Sequence, residues 1–186
     1  MSTAIRVERV GRGLAGEVKA RSGASPMSCL QCSKCSSGCP VAGRADLKPH
    51  ELVRLVQMDQ RRAVLESRFI WECTSCQTCV TRCPQQVDLP AMNDALRALS
   101  VAAGMVDPAT RMPVFNQVFL ANVRKRGRVH ELVLMVGFKL RAGQVFADAA
   151  KAPMMFAKGK LSLFGPRVRG RAQRKAMFGR AAGGKS

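Results

Sequence analysis

Cys29-Leu-Gln-Cys32-Ser-Lys-Cys35-Ser-Ser-Gly-Cys39-Pro40 decides how this chain folds, and it recurs as Cys73-Thr-Ser-Cys76-Gln-Thr-Cys79-Val-Thr-Arg-Cys83-Pro84. Together the two runs use all eight cysteines of the 186 residues. Each reads C-x2-C-x2-C-x3-C-P. That spacing lets one tight loop wrap three corners of a [4Fe–4S] cube, while the proline aims the fourth thiolate away. In two-cluster proteins the fourth thiolate ligates the other cube. The expected ligands are therefore Cys29, Cys32, Cys35 and Cys83 for one cluster, and Cys73, Cys76, Cys79 and Cys39 for the other. Zinc is the weaker alternative, because it needs only two C-x2-4-C pairs around one tetrahedral ion.

Outward from the first motif, Asp46-Leu47-Lys48-Pro49-His50-Glu51 carries the signals of a helix start, with Pro49 in the first turn. Leu52, Val53, Leu55 and Val56 give that helix an apolar face. A short helix over about Gln60–Glu66 follows, and Phe69-Ile70-Trp71 runs directly into the second motif. Beyond it, Asp88-Leu89-Pro90 echoes the first start. The next helix passes through Met92, Leu96, Leu99 and Ala103, and Gly104 ends it. Cys29 and Cys73 stand 44 residues apart (29 to 73), so the chain duplicates a loop-plus-helix unit. Helical patterns rather than alternating strands fill the spacing. The expected class is all-α, an α-helical ferredoxin over residues 28–106. Residues 1–27 form a lead-in, with Val7, Val10, Leu14 and Val18 at helical spacing and a break at Gly23–Pro26.

The composition changes past Gly104. Asp107-Pro108 is expected to open a helix through Phe115, Val118, Phe119 and Val123 that ends in Arg124-Lys125-Arg126-Gly127. A second apolar run spans Leu132–Leu140. Residues 149–186 hold ten bases and no acid and are expected to be irregular until a partner orders them. Of the net charge of +19, residues 1–106 carry +5 (14 basic, 9 acidic) and residues 107–186 carry +14 (17 basic, 3 acidic). That asymmetry suits nucleic acid, an anionic membrane surface or an acidic protein partner, and charge alone does not choose among them. Residues 107–186 are expected to be a basic docking extension, with Phe115, Phe119, Leu132, Leu134 and Phe138 as anchors. No apolar run is long enough to span a membrane. The missing interleaving of aromatic and basic residues argues against a nucleic-acid-binding metalloprotein. Met1–Val10 has no signal-peptide apolar run, and thiolates kept for metal fit a reducing cytoplasm.

With these residues in view, the chain resembles the C subunit of heterodisulfide reductase. The resemblance rests on both cysteine motifs and their spacing, on Pro49-His50-Glu51-Leu52-Val53-Arg54-Leu55-Val56-Gln57 between them, and on Trp71, Arg82-Cys83-Pro84 and Val87-Asp88. It covers about residues 7–125, and more weakly Lys158–Leu163. It implies an α-helical ferredoxin that relays electrons through two [4Fe–4S] clusters inside a complex. A flavin and iron–sulfur protein of the A type would stand on one side, and a cysteine-rich, disulfide-active protein of the B type on the other. The cysteine motifs are shared with iron–sulfur subunits of fumarate reductases and glycolate oxidases, which are the alternative. With every cysteine committed, and no nucleophile–base pair or nucleotide-binding loop, no independent catalysis is expected.

The remaining candidates have modest expectations. His50 and His130 suit surface or capping roles. Trp71 suits either core packing or a cover over the second cluster. Lys34 and Arg82, inside the motifs, either raise cluster potential or are solvated. Ser and Thr between the cysteines suit tight turns and can also donate hydrogen bonds to sulfur.

Overall fold

Prolines and glycines cut this chain into short helices, and the computed structural model describes residues 13–143, 168 and 170–183. Among the described residues there are helices and turns but no strand. They divide into two units, the first closing at Thr110 and the second starting at Arg111.

In the first unit, α1 is Leu14–Ser22, followed by a 3-10 turn at Pro26–Ser28. The first motif carries α2, Lys34–Ser37, and the second carries α6, Thr78–Thr81. Between them lie α3 (Pro49–Gln57), α4 (Arg61–Leu65) and α5 (Phe69–Glu72). The long helix α7 is Leu89–Ala102. Leu14 and Val18 of α1 are fully buried, as are Leu52 and Val56 of α3 and Met92 and Leu96 of α7, and they share one core. Gly23 (φ 73°) and Gly104 (φ 64°) end α1 and α7 in the left-handed region, where glycine carries no steric penalty.

The two major helices begin alike. The Lys48 N–H donates to the Glu51 carboxylate (2.9 Å) at the start of α3, and Asp88 accepts the Ala91 N–H (2.9 Å) at the start of α7. Each then holds a cysteine loop from nine residues beyond its cap, 48 to 57 and 88 to 97. Gln57 Nε2 donates to the carbonyls of Pro26 (3.0 Å) and Cys29 (3.2 Å). The Arg97 guanidinium donates to the carbonyls of Ile70 and Cys73, the second at 2.8 Å. The first cysteine of each motif is thus pinned by the helix of its own repeat.

Asp46 couples the exit of the first motif to the entrance of the second. Its carboxylate accepts hydrogen bonds from the N–H groups of Arg68 (2.8 Å) and Phe69 (2.9 Å) and from the Ser67 hydroxyl (3.0 Å). Burial pushes this carboxyl up, but those bonds together with the Leu47 N–H outweigh it and hold it below the ordinary value of 3.8. At α1, the Leu14 N–H donates to Asp59 (2.6 Å). A Cβ at Gly13 would collide with that carboxylate.

In the second unit, α8 is Met112–Arg126, α9 is Glu131–Arg141 and α10 is Arg171–Gly183. Phe115 stacks on Phe119 (6.0 Å between centroids) and meets Phe138 edge-on (5.7 Å). Gly137 lets α9 approach buried Val118, since a Cβ there would stand 3.0 Å from Val118 Cγ1. The Arg174 guanidinium donates to the carbonyls of Arg124 (3.0 Å) and Lys125 (3.2 Å), capping the C-terminus of α8.

Two expectations are corrected. The helix after Gly104 starts at Met112 rather than at Asp107-Pro108, because Asp107 accepts the Ala109 N–H (2.8 Å) and closes a turn of its own. The tail is not irregular throughout. Arg171–Gly183 is helical, as its Ala, Arg, Lys, Gln and Met content favours. Val7, Val10, Lys158–Leu163 and residues 149–167 lie outside the described residues.

The scaffold can be tested at two of its anchors. Arg97→Ala should lower stability by about 2 kcal/mol through two lost charge-assisted bonds, seen as a drop in Tm of the iron-loaded protein. Arg97→Lys should recover only part of it, since one ammonium cannot match the planar fork. Asp46→Asn should cost about 1 kcal/mol near neutral pH, kept small by the residue's exposure. Because the folded carboxyl lies below 3.8, Asp46's contribution is present above that pH and is lost as the pH falls through its lowered value. The gap in Tm between the two proteins should close in the same direction.

Candidate metal centre

Each cysteine loop is built by one local device used twice. Gln31 (φ 57°) and Ser33 (φ 60°) flank Cys32 in the left-handed region, and Ser75 (φ 52°) and Gln77 (φ 64°) flank Cys76 in the same way. Non-glycine residues there cost roughly 1 kcal/mol or more each, so the surroundings over-determine the conformation. The chain then enters a single helical turn. Ser36 N–H donates to Ser33 O and Val80 N–H to Gln77 O, both at 3.0 Å. Cys39 N–H donates to Ser36 O (3.3 Å) and Cys83 N–H to Val80 O (3.1 Å), so both fourth cysteines leave at corresponding points. The two turns, α2 and α6, pack against each other.

That packing brings the eight cysteines together as two groups of four. One cavity is lined by Cys29, Cys32, Cys35 and Cys83, with Lys34 and His50 beside them. The other is lined by Cys39, Cys73, Cys76 and Cys79, with Phe69, Leu89 and Pro90. Each cavity takes three thiols from one motif and one from the other. The two match at the mouth, with Cys32 and Cys76 the exposed member of each ring. A larger groove lies along α1 and the end of α3, lined by residues such as Gly16, Lys19, Pro26 and Met27, and no cysteine enters it.

The donor set fits iron–sulfur clusters. All eight cysteines are free thiols. Burial pushes the Cys79 thiol up to about 11, with repulsion from Cys73 and Cys35 adding to it. Burial likewise raises Cys35, against a hydrogen bond from Ser36. Thiolates crowded into such cavities require a cationic partner. Cys76 is lowered instead, chiefly by Thr78. Zinc would draw its sulfurs to about 3.8 Å from one another. Among the described residues no group of three His, Cys, Asp or Glu side chains closes on a single ion position.

Hydrogen-bond partners surround the sulfurs. Gln31 Nε2 donates to Cys29 Sγ (3.4 Å) and Val87 N–H to Cys83 Sγ (3.3 Å), while the Cys76 thiol donates to Thr78 Oγ1 (3.4 Å). Ser36 Oγ stands 3.9 Å from Cys35 Sγ and 2.7 Å from His50 Nδ1.

Other candidates sort by position. Lys34 lines the first cavity. Arg82 lies against Gly38, where a side chain would displace its guanidinium. Trp71 is in the core rather than over a cluster site, and Phe69 lines that cavity instead. His130 is not at the surface but stands at the N-cap position of α9. It is buried in the second unit, where Asn122 Nδ2 donates to its carbonyl (2.9 Å). The sequence reading missed Gln31, Gln57, Arg97 and the Ser36–His50 pair. Only the positions of Gln57 and Arg97, each nine residues past a helix start, held a usable signal.

Residues 28–88 match the 4Fe-4S dicluster domain family. The chain is 35% identical over 77 residues to the C subunit of the ferredoxin:CoB-CoM heterodisulfide reductase of Methanosarcina acetivorans, covering 41% of this chain and 31% of that protein. Its counterpart in Methanosarcina mazei is 30% identical over 115 residues, covering 62% and 61%. The C subunit of the H(2):CoB-CoM heterodisulfide,ferredoxin reductase of Methanothermobacter thermautotrophicus is 27% identical over 105 residues, covering 56% and 57%. The chain thus spans between 31% and 61% of the length of these relatives. With its dicluster domain and these relatives, the chain is a 4Fe-4S protein similar to the C subunits of heterodisulfide reductases.

Proposed function

We propose that this chain is the electron-transfer iron–sulfur subunit of a heterodisulfide reductase-like complex and holds two [4Fe–4S] clusters. The observation that carries this is the ring of four cysteines at each of two matched cavities. Cys29, Cys32, Cys35 and Cys83 would hold one cluster, and Cys73, Cys76, Cys79 and Cys39 the other. When bound, each cluster stores and releases one electron. The protein's part is to supply four thiolates per site, leave no iron open to substrate, and exclude water. Leu89, Pro90 and Phe69 do the last at the second site, and the α2–α6 contact keeps the sites adjacent. Cys32 and Cys76, exposed at the cavity mouths, mark where electrons would enter and leave.

The partners proposed are a flavin and iron–sulfur protein and a cysteine-rich, disulfide-active protein, assembled with this chain in a reducing cytoplasm. The disulfide step belongs to the latter, because here every cysteine is committed. No described helix is long and apolar enough to cross a membrane. The second unit is the proposed docking part. Its phenylalanines Phe115, Phe119 and Phe138 pack on one another, so they are poor anchors. Val133, Val136 and Leu140 form an exposed apolar stripe along α9 and fit the role better. Basic charge around them would steer an acidic partner, gaining on-rate and orientation.

Anaerobically purified protein should carry about eight iron per chain. One zinc per four cysteines, without visible charge-transfer absorption, would sink the proposal. Cys39→Ala should disable the cluster of the second motif and Cys83→Ala that of the first, read by EPR of each reduced variant. Loss of the cluster belonging to the mutated cysteine's own motif would mean uncrossed ligation. A stop after Thr110, which keeps Met105 and Val106 packed on the core, should retain iron but lose co-purification with the partner proteins. Assembly that survives the truncation would rule out docking through the second unit.

A further inference from the structure

The two cavities are near copies in backbone, but different groups meet their sulfurs. Around Cys29, Cys35 and Cys83 stand Gln31 Nε2 at 3.4 Å, Ser36 Oγ at 3.9 Å and Val87 N–H at 3.3 Å. At the other cavity Thr74 and Thr78 hydrogen-bond with Cys76, and the Val80 backbone serves Cys79 as the Ser36 backbone serves Cys35, but no side-chain hydroxyl stands at Cys79 as Ser36 does at Cys35.

The Ser36 contact is long, and the same hydroxyl is shared with a neighbour fourteen residues away. Ser36 Oγ accepts the His50 backbone N–H (3.2 Å) and lies 2.7 Å from His50 Nδ1. With the imidazole proton on Nδ1, both lone pairs of the hydroxyl face His50. The single hydroxyl proton then has Cys35 Sγ as its acceptor. A cysteine bound to iron carries no proton and can only accept. The second repeat lacks this arrangement. Val80 stands where Ser36 does, in the same position of its motif, and α7 brings Leu89 and Pro90 to its cavity where α3 brings His50.

We propose that the Ser36–His50 pair makes the two clusters unequal in reduction potential, so that the site ringed by Cys29, Cys32, Cys35 and Cys83 is the higher of the two and the place where a single electron on the chain comes to rest. This deepens the two-cluster proposal above and rests on it. A dipole aimed at sulfur stabilises the reduced, more negative state more than the oxidised one. One electron arrives and one leaves, with no bond made or broken and no proton taken up. His50 is a positioning residue here, acting on sulfur only through the Ser36 hydroxyl.

The test is an EPR-monitored redox titration of the iron-loaded full chain, with iron content measured alongside. Wild type should show two one-electron steps at different potentials. Ser36→Ala should move the upper step alone, lowering the ratio of reduced to oxidised cluster at a fixed potential by about tenfold, which is about 59 mV for one electron. His50→Leu should move the same step the same way, and His50→Asn, which keeps a donor near the Nδ1 position, should move it less. Two steps that stay put in both Ser36→Ala and His50→Leu overturn this inference and leave the two-cluster proposal standing, as does movement of the lower step instead. A wild-type chain with about four iron and one step overturns both.

Discussion

Neither cysteine loop encloses a cavity alone. Each cavity is ringed by three thiols of one motif and one of the other, so both depend on the two loops meeting at a fixed offset. Much of the first unit serves that requirement. The α2–α6 contact sets the meeting. Gln57 and Arg97 reach back from α3 and α7 to the first carbonyl of each loop, and Asp46 ties the exit of one loop to the entrance of the next. The core behind them, from Leu14 through Leu96, makes those anchors rigid.

Duplication simplifies this scaffold, because one solution to the loop problem is used twice. The left-handed pairs around Cys32 and Cys76 show how closely the backbone is copied. The side chains have diverged on that common frame. Ser36 and His50 serve one site, while Phe69, Leu89 and Pro90 face the other. Two sites of like backbone geometry therefore sit in unlike side-chain surroundings.

The second unit solves a different problem. It must fold while carrying an excess of positive charge. It does so by using its cations structurally, as Arg174 does in covering the carbonyls at the end of α8. Phe119 and Phe138 close on Phe115, and a glycine at position 137 allows the two helices to approach closely. Apolar side chains left at the surface include Val133, Val136 and Leu140 of α9, with Leu120 of α8 and Met177 of α10.

The sequence alone determined the doubled motif, the all-helical class and the helices between the motifs, because each is written in local spacing: cysteine offsets, a 3.6-residue apolar period, and prolines or glycines at helix ends. It also located the break in composition beyond Gly104. Local spacing misplaced the start of α8, where a turn closed by Asp107 outcompeted the helix, and it missed the helix at Arg171–Gly183 behind a count of charges. Tertiary structure alone decided which side chains hold the loops and which neighbour shares the Ser36 hydroxyl. Ser36 and His50 are fourteen residues apart, Arg97 and Cys73 twenty-four, Gln57 and Cys29 twenty-eight. A hydrogen bond across such separations has no periodicity for a sequence to display. It exists only once the core has packed and brought donor and acceptor within about 3 Å.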